Sequence, residues 1–265
     1  MSTAYPYRYT PGKIPVIISM PHTAAHVPPP LLERFTEPAK KLPDTDWHIE
    51  KLYDFVNDLG VHILVPEYSR YVVDLNRGTG AETLYPGQFT TTICPLLMFD
   101  GTPIYQPGKE PDAFETGQRI ADVWQPYHDK LQTLIDELKE KHKRVSMFDA
   151  HSIASQIPML FDGVLPDLNI GTNSGNSADK TLCDKLVTVA RNTPYSIAYN
   201  GRFKGGYITR HYGNPAQNVN TVQLELTQHN YMSEAWPFAY DEAKAVKLQS
   251  VLRRLVITLI EQTCQ

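Results

Sequence analysis

Met147-Phe148-Asp149-Ala150-His151-Ser152 is the stretch on which the reading of this chain turns. Val145-Ser146-Met147-Phe148 reads as a short buried strand, and Asp149, His151 and Ser152 follow where that strand is expected to run out. In open α/β sheets ligands bind just beyond the carboxyl ends of strands, so this polar cluster marks the expected place of chemistry. Four other stretches carry groups of matching type: Pro21-His22-Thr23, Asp44-Thr45-Asp46-Trp47, Val73-Asp74-Leu75-Asn76-Arg77 and Leu224-Glu225-Leu226.

Working outward, Ile14 to Met20 is an apolar run that predicts a central strand ending at Pro21, since proline cannot serve a central ladder. Val61 to Val65 and Tyr71 to Leu75 predict two more strands, joined by a turn over Pro66 to Arg70. Leu168 to Thr172 and the alternating Val219 to Leu226 add two others, with Glu225 at the end of the last. Asp44 to Leu59 predicts a helix with Asp44 as its N-cap. Pro111 to Lys143 predicts a long helix, kinked or split at Pro126, with His128 and His142 on its surface. Ser177 to Arg191, capped by Ser177, and Asp241 to Gln262 are amphipathic helices. Strands interleaved with helices, with no composition break or repeat, predict a single three-layer α/β/α domain over 1–265. The hairpin-like pair 61–65 and 71–75 makes its sheet mixed. Residues 78–108, rich in Gly and Pro, predict no long regular element and a lid or rim over the site.

The bulk numbers narrow the function by exclusion. A net charge of −4 on 265 residues leaves no electrostatic footprint for nucleic acid or an anionic membrane. No apolar run reaches the length of a membrane span, and the Tyr- and Pro-rich N-terminus has no signal-peptide core. Cys94, Cys183 and Cys264 are too few and too scattered for a disulfide framework or a cysteine zinc site, which fits a reducing, cytoplasmic setting. At that net charge, any positive charge needed to hold a small acidic molecule must be local. Oligomeric state leaves no trace in the sequence.

Catalytic zinc takes three protein ligands from His and Asp/Glu and keeps one position for water. His22, Asp46 and His151 supply such a set from a strand end, a helix start and a strand end. Each has an ordinary structural explanation on its own: a turn histidine, a carboxylate in a first helical turn, a loop histidine. Asn76-Arg77 follows a strand directly, and arginine offers a planar fork that matches a carboxylate. Asn200 to Gly213 carries Arg202, Lys204 and Arg210 among glycines that let backbone approach a ligand closely.

The combination is less generic than its parts. Ile18-Ser19-Met20-Pro21-His22, Asp44-Thr45-Asp46-Trp47, Tyr71-Val72-Val73-Asp74-Leu75-Asn76-Arg77, Asp149-Ala150-His151-Ser152, Asn169-Ile170-Gly171-Thr172, Gly205 to Gly213 and Leu224 to Met232 together resemble the N-formylglutamate amidohydrolases. That family lies within the zinc carboxypeptidase and aspartoacylase-like superfamily. The resemblance implies a zinc-exopeptidase type of fold and a zinc-dependent hydrolase cleaving N-formyl-L-glutamate to formate and L-glutamate, in histidine degradation. It implies His22, Asp46 and His151 as ligands of one Zn2+, with another divalent metal as an alternative. In the superfamily the acidic ligand commonly lies three residues after the first His; here that position is Ala25, so Asp46 is the expectation, with Glu50 and His26 as substitutes. Asn76-Arg77 is implied to grip a substrate carboxylate and Glu225 to act as general base. A second carboxylate calls for Arg210, with Arg202 or Lys204 as helpers.

Three rivals stay open at this level: a related deacylase or carboxypeptidase for another N-acyl acidic amino acid, a binder of an acidic metabolite without chemistry, and a metal-free enzyme with Ser152 as nucleophile. The last is disfavoured because adjacent residues on an extended segment point apart. His211 and His229 carry no assigned role.

Overall fold

The computed structural model describes residues 5–80 and 91–265. Among the described residues, seven strands form one mixed sheet in the order β1-β3-β2-β4-β7-β5-β6: β1 (Tyr7–Thr10), β2 (Val16–Ser19), β3 (His62–Pro66), β4 (Val145–Ile153), β5 (Leu168–Gly171), β6 (Ile197–Tyr199) and β7 (Val219–Thr227). β3, β2, β4 and β7 run parallel; β1 pairs antiparallel with β3, and β5 pairs antiparallel with β7 but parallel with β6. The helices are α1 (Pro29–Leu32), α2 (Ile49–Leu52), α3 (Ala113–Arg119), α4 (Gln125–Lys141), α5 (Lys180–Arg191), α6 (Tyr207–Tyr212) and α7 (Glu242–Thr263). Among the described residues, no helix is long and apolar enough to cross a membrane.

The two-residue period of the strands builds the layers. Val16, Ile18, Phe148, Ala150, Val222 and Leu224 face α5 and α7 through Leu182, Leu186, Leu248 and Leu252. Ile17, Val145, Met147 and Val219 face α4 through Tyr127, Leu131, Leu134 and Leu138. The expected α/β sandwich with a mixed central sheet is therefore present. Its antiparallel members are the edge strand β1 and the pair β5–β6 at the opposite edge, not a hairpin at 71–75.

Several boundaries differ from expectation for physical reasons. Tyr71 to Leu75 is a buried turn, although its apolar run reads like a strand; Tyr71, Val72, Val73 and Leu75 fill two separate clusters without a ladder partner. β4 does not end at Phe148 but runs on to Ile153. Asp44 caps nothing: its Oδ2 accepts from the Tyr71 hydroxyl (2.8 Å) and the Phe99 amide (2.9 Å). The helix expected over Asp44 to Leu59 is only the turn α2 followed by a 3₁₀ stretch, Asp54–Leu59. α5 is capped by Asp179, which accepts from Thr181 and Leu182, whereas Ser177 Oγ donates to Thr221 O. The long helix does split near Pro126. Proline's ring clashes with the carbonyl four residues back, and the wider π-turn Ile120–Trp124, closed by Gln125 N donating to Ile120 O, absorbs it. Outside the described residues lies part of the expected lid, 81–90. The remainder of 78–108 forms no helix or strand, and Thr91 and Phe99 line the cleft described below.

His128 is buried, not on the surface. Its Nε2 donates to Leu75 O (2.9 Å) and its Nδ1 meets the Tyr212 hydroxyl (2.9 Å). Burial pushes its pKa down to about 3, against a raising pull from the Leu75 carbonyl. The unfolded chain protonates this ring near 6.5 while the folded chain does not, so between those values unfolding takes up a proton. Stability then falls as pH falls, by about 1.4 kcal/mol per unit from this group. Urea melts at pH 7 and pH 5 should show His128→Gln losing roughly 2 kcal/mol less than wild type over that interval; equal losses would assign the acid sensitivity elsewhere.

Candidate active site

β2 and β4 are neighbours whose other flanks carry β3 and β7, so the chain leaves them in opposite directions. The crevice at the carboxyl ends of such a strand pair is the usual ligand site of an open α/β sheet. The residues that reach it follow from the strand period. On β4, Val145 and Met147 lie under α4, and the same face carries Asp149 and His151 further along. On β7, Glu225 is the direct neighbour of His151, and Gln223 of Asp149. His22 follows β2, and Asp46 is brought beside it by its own amide, which donates to His22 O (3.1 Å).

His22, Asp46 and His151 are buried and offer one ligand atom each, all within 4.8 Å of one another. His22 Nδ1 lies 3.8 Å and His151 Nδ1 3.0 Å from Asp46 Oδ2. Tetrahedral zinc, with bonds of about 2.0–2.2 Å, sets its donors roughly 3.3–3.5 Å apart, so the spacing fits a small divalent ion. The outer ring nitrogens are occupied in the manner of metal-site histidines: His22 Nε2 sits 2.7 Å from Asp74 Oδ1, and His151 Nε2 3.0 Å from Asp149 Oδ2. With Nε2–H of His151 given to Asp149, the Nδ1 lone pair faces a carboxylate oxygen at 3.0 Å. A neutral ring there sets two acceptors against each other, a contact that only a proton or a cation between them relieves. Asp46 Oδ1, also buried, has no hydrogen-bond partner among the described residues; Arg70 Nη1 is 3.8 Å away.

The charge balance points the same way. Asp46, Asp74, Asp149 and Glu225 are buried here around the buried Arg70 guanidinium, and buried charge is costly unless compensated. Burial opposes protonation of His151, yet Asp149 and Asp46 overcome it and hold its pKa well above the ordinary histidine value. Burial and the Arg70 guanidinium push His22 down, against the pull of Asp74 and Asp46. Burial drives the Glu225 carboxyl up to about 8, with His151 lowering it and Asp46 raising it. Asp74, though buried, is held well below the carboxylate range by Arg70 and His22. The donor set therefore suits a divalent cation, which would cancel most of the surplus negative charge.

The cleft, about 590 Å³ counting its open mouth, is lined by His22, Arg70, Asn76, Arg77, His151 and Glu225 and by Arg202, Phe203 and Gly206; its size suits a small metabolite. Asn76 is engaged within the protein: Oδ1 accepts from Ile208 N (2.8 Å), and Nδ2 lies 3.0 Å from His151 Nε2 and 3.4 Å from Asp149 Oδ2. Arg77 donates through Nε to Thr91 O and through Nη1 to Asn76 O. Arg202 lines the cleft, whereas Arg210, whose Nε donates to Gly205 O, and Lys204 lie outside that lining. The substitutes for Asp46 are elsewhere: Glu50 pairs with Arg8, and His26 packs on Tyr68. Ser152 Oγ is hydrogen-bonded to the Tyr231 hydroxyl (2.7 Å). His211 stacks on Tyr207, and His229 pairs with Asp167.

Two members of the site, Arg70 and Asp74, have no role assigned from residue type alone. Arg70 Nη2 donates to Asp74 Oδ2 (2.7 Å), and the guanidinium lies over the Phe99 ring. Asp74 thereby joins Arg70 and His22 while also accepting the Asn76 amide. A spacing of four between Arg70 and Asp74 is visible in the sequence, but on a stretch that reads as turn and strand it carries no helical pairing signal.

The N-formylglutamate amidohydrolase family profile matches residues 14–232. The N-formylglutamate deformylase of Pseudomonas putida is 46% identical over 250 residues, covering 94% of this chain and 93% of its own. That of Pseudomonas aeruginosa is 47% identical, with 94% of each chain covered. Among solved structures, the N-formylglutamate amidohydrolase of Ralstonia eutropha JMP134 superposes with a TM-score of 0.84 at 21% identity, covering 98% of this chain and 99% of that one. A gene product of Agrobacterium tumefaciens superposes at 0.74 with 17% identity, covering 97% and 95%; at such identities both speak for the fold alone. On the strength of the profile and the two Pseudomonas relatives, the chain belongs to the N-formylglutamate amidohydrolase family.

Proposed function

We propose that this chain is a hydrolase that cleaves N-formyl-L-glutamate to formate and L-glutamate, with His22, Asp46 and His151 holding one divalent cation, zinc by the nature of the donors. The observation that carries the reading is the convergence of those three donors beside Glu225 on the adjacent strand position. The relatives' names supply the substrate. Because the site draws on residues from both ends of the chain across one sheet, we read the whole as one catalytic domain.

When bound there, a divalent cation supplies Lewis-acid polarisation of the formyl carbonyl and a more acidic water. The protein's own groups do the rest. Glu225 takes a proton from the attacking water and returns it to the nitrogen as the C–N bond breaks, a two-way role that suits a carboxylate whose pKa burial has raised towards neutrality. Asp74 and Asp149 fix the orientation of the two imidazoles. Arg77 and Arg202, both lining the cleft, bind the two carboxylates of the glutamyl part; Arg202 takes the place expected of Arg210.

The test is formate release from N-formylglutamate by the purified protein before and after chelation, with metal then restored. An activity loss of at least about tenfold on chelation, reversed by zinc, is expected. Full activity after demonstrated metal removal sinks the metal assignment, and preference for N-acetylglutamate or N-formylaspartate sinks the substrate.

A further inference from the structure

We propose that Trp124 is a positioning residue for Arg77, setting the reach of that guanidinium and so the affinity for a substrate carboxylate. The inference rests on the reading of Arg77 as a carboxylate ligand. Leu75-Asn76-Arg77 belongs to no strand, so its carbonyls, on two buried residues and a half-buried one, cannot be satisfied by a ladder and must find donors elsewhere. The structure supplies one for each in succession. His128 Nε2 donates to Leu75 O (2.9 Å), Tyr207 N to Asn76 O (3.3 Å) and Trp124 Nε1 to Arg77 O (2.8 Å). Of these three donors, the indole is the one that holds residue 77 itself.

Trp124 is suited to hold that carbonyl still. It is buried, and its ring centroid lies 3.9 Å from that of His128 and 5.6 Å from that of Tyr207. A buried indole N–H has a single donor direction and needs a partner; here that partner is the backbone from which the Arg77 side chain springs. The residue is the last of the π-turn ahead of Pro126, an irregularity often found at functional sites. On its far side the Arg77 guanidinium is steadied by Thr91 O (3.2 Å). Loosening the near end lets the fork shift relative to the cleft, and small misplacements of a binding group are costly.

The experiment measures kcat and KM of the metal-loaded enzyme for N-formylglutamate in Trp124→Phe, Arg77→Ala and the double variant. Trp124→Phe is expected to raise KM about threefold to tenfold, the size of one neutral hydrogen bond, with kcat within about twofold. The double variant should show a KM no higher than Arg77→Ala alone, because residues acting through one another are not additive. A purely structural role lowers the melting temperature or the active fraction and leaves KM unchanged. An unchanged KM in Trp124→Phe, with KM raised in Arg77→Ala, overturns the inference and leaves the Arg77 reading intact; an unchanged KM in Arg77→Ala overturns both. Should Trp124→Phe fail to fold, benzothienylalanine at position 124, which keeps the indole shape without the N–H, gives the same readout.

Discussion

Replacing Glu225 by glutamine is expected to lower kcat for N-formylglutamate about 10²–10⁴-fold, the usual worth of a positioned acid–base group, with the bound metal retained. The carboxyl is buried in the cleft and stands next to His151 in the β4–β7 register. Gln223 Nε2 reaches it only at 3.4 Å, so an amide of the same shape disturbs little else. Glutamine can neither take a proton from water nor pass one to the leaving nitrogen. Burial already holds the carboxyl largely neutral near pH 7, so the amide leaves the charge of the site nearly unchanged and the fold should be no less stable. Metal content, thermal melting and turnover, measured together, check this. Turnover within a few-fold of wild type would remove Glu225 from the proton transfer.

Asp46→Asn is expected to be still more severe, losing both the metal and the activity. Asp46 Oδ2 faces Nδ1 of both histidines and accepts the Ser152 amide (3.1 Å), while Oδ1 is without a hydrogen-bond partner among the described residues. An amide keeps the shape and forfeits the charge that draws a cation in. A ligand present at about 100 times its Kd adds about 2.7 kcal/mol to folding stability, which for a chain of this size is roughly 5–10 °C in Tm. Wild-type Tm should therefore drop by that much on chelation and recover with zinc, while the Asp46→Asn protein responds to neither. A variant whose Tm still rises with zinc would show that Asp46 is dispensable to the ion.

How much of this could be read in advance depended on whether a residue's task lies within its own element. α7 was plain because its apolar stripe and the Asp241 cap are local, and β7 because it alternates throughout. β4 was cut short at Phe148 because Asp149 and His151 look like a strand's polar end; inside the sheet they pair with each other on one face beyond α4, so polarity there marks a site and not a boundary. Tyr71 to Leu75 misled in the opposite sense, since a buried apolar run has the same composition with or without a ladder. The short edge strands β1 and β6 are only half-buried and left little pattern. His22, Asp46, His151 and Glu225 stand out in the sequence only in combination, through the family resemblance, since each alone has an ordinary structural explanation, and His151 and Glu225 lie within β4 and β7. Arg70 and Trp124 do not stand out, because what they do is decided by side chains that cross between elements.

The register between β4 and β7 has a consequence for how this enzyme tolerates change. His151 and Glu225 occupy one rung of a backbone ladder, so their separation is held by main-chain hydrogen bonds deep in the molecule and owes nothing to any surface connection. The walls that would sense the acyl group and the amino acid, among them Phe99, Leu160, Arg202 and Phe203, hang from the connections between strands instead. Reshaping those walls should redirect substrate choice while the hydrolytic machinery stays in place.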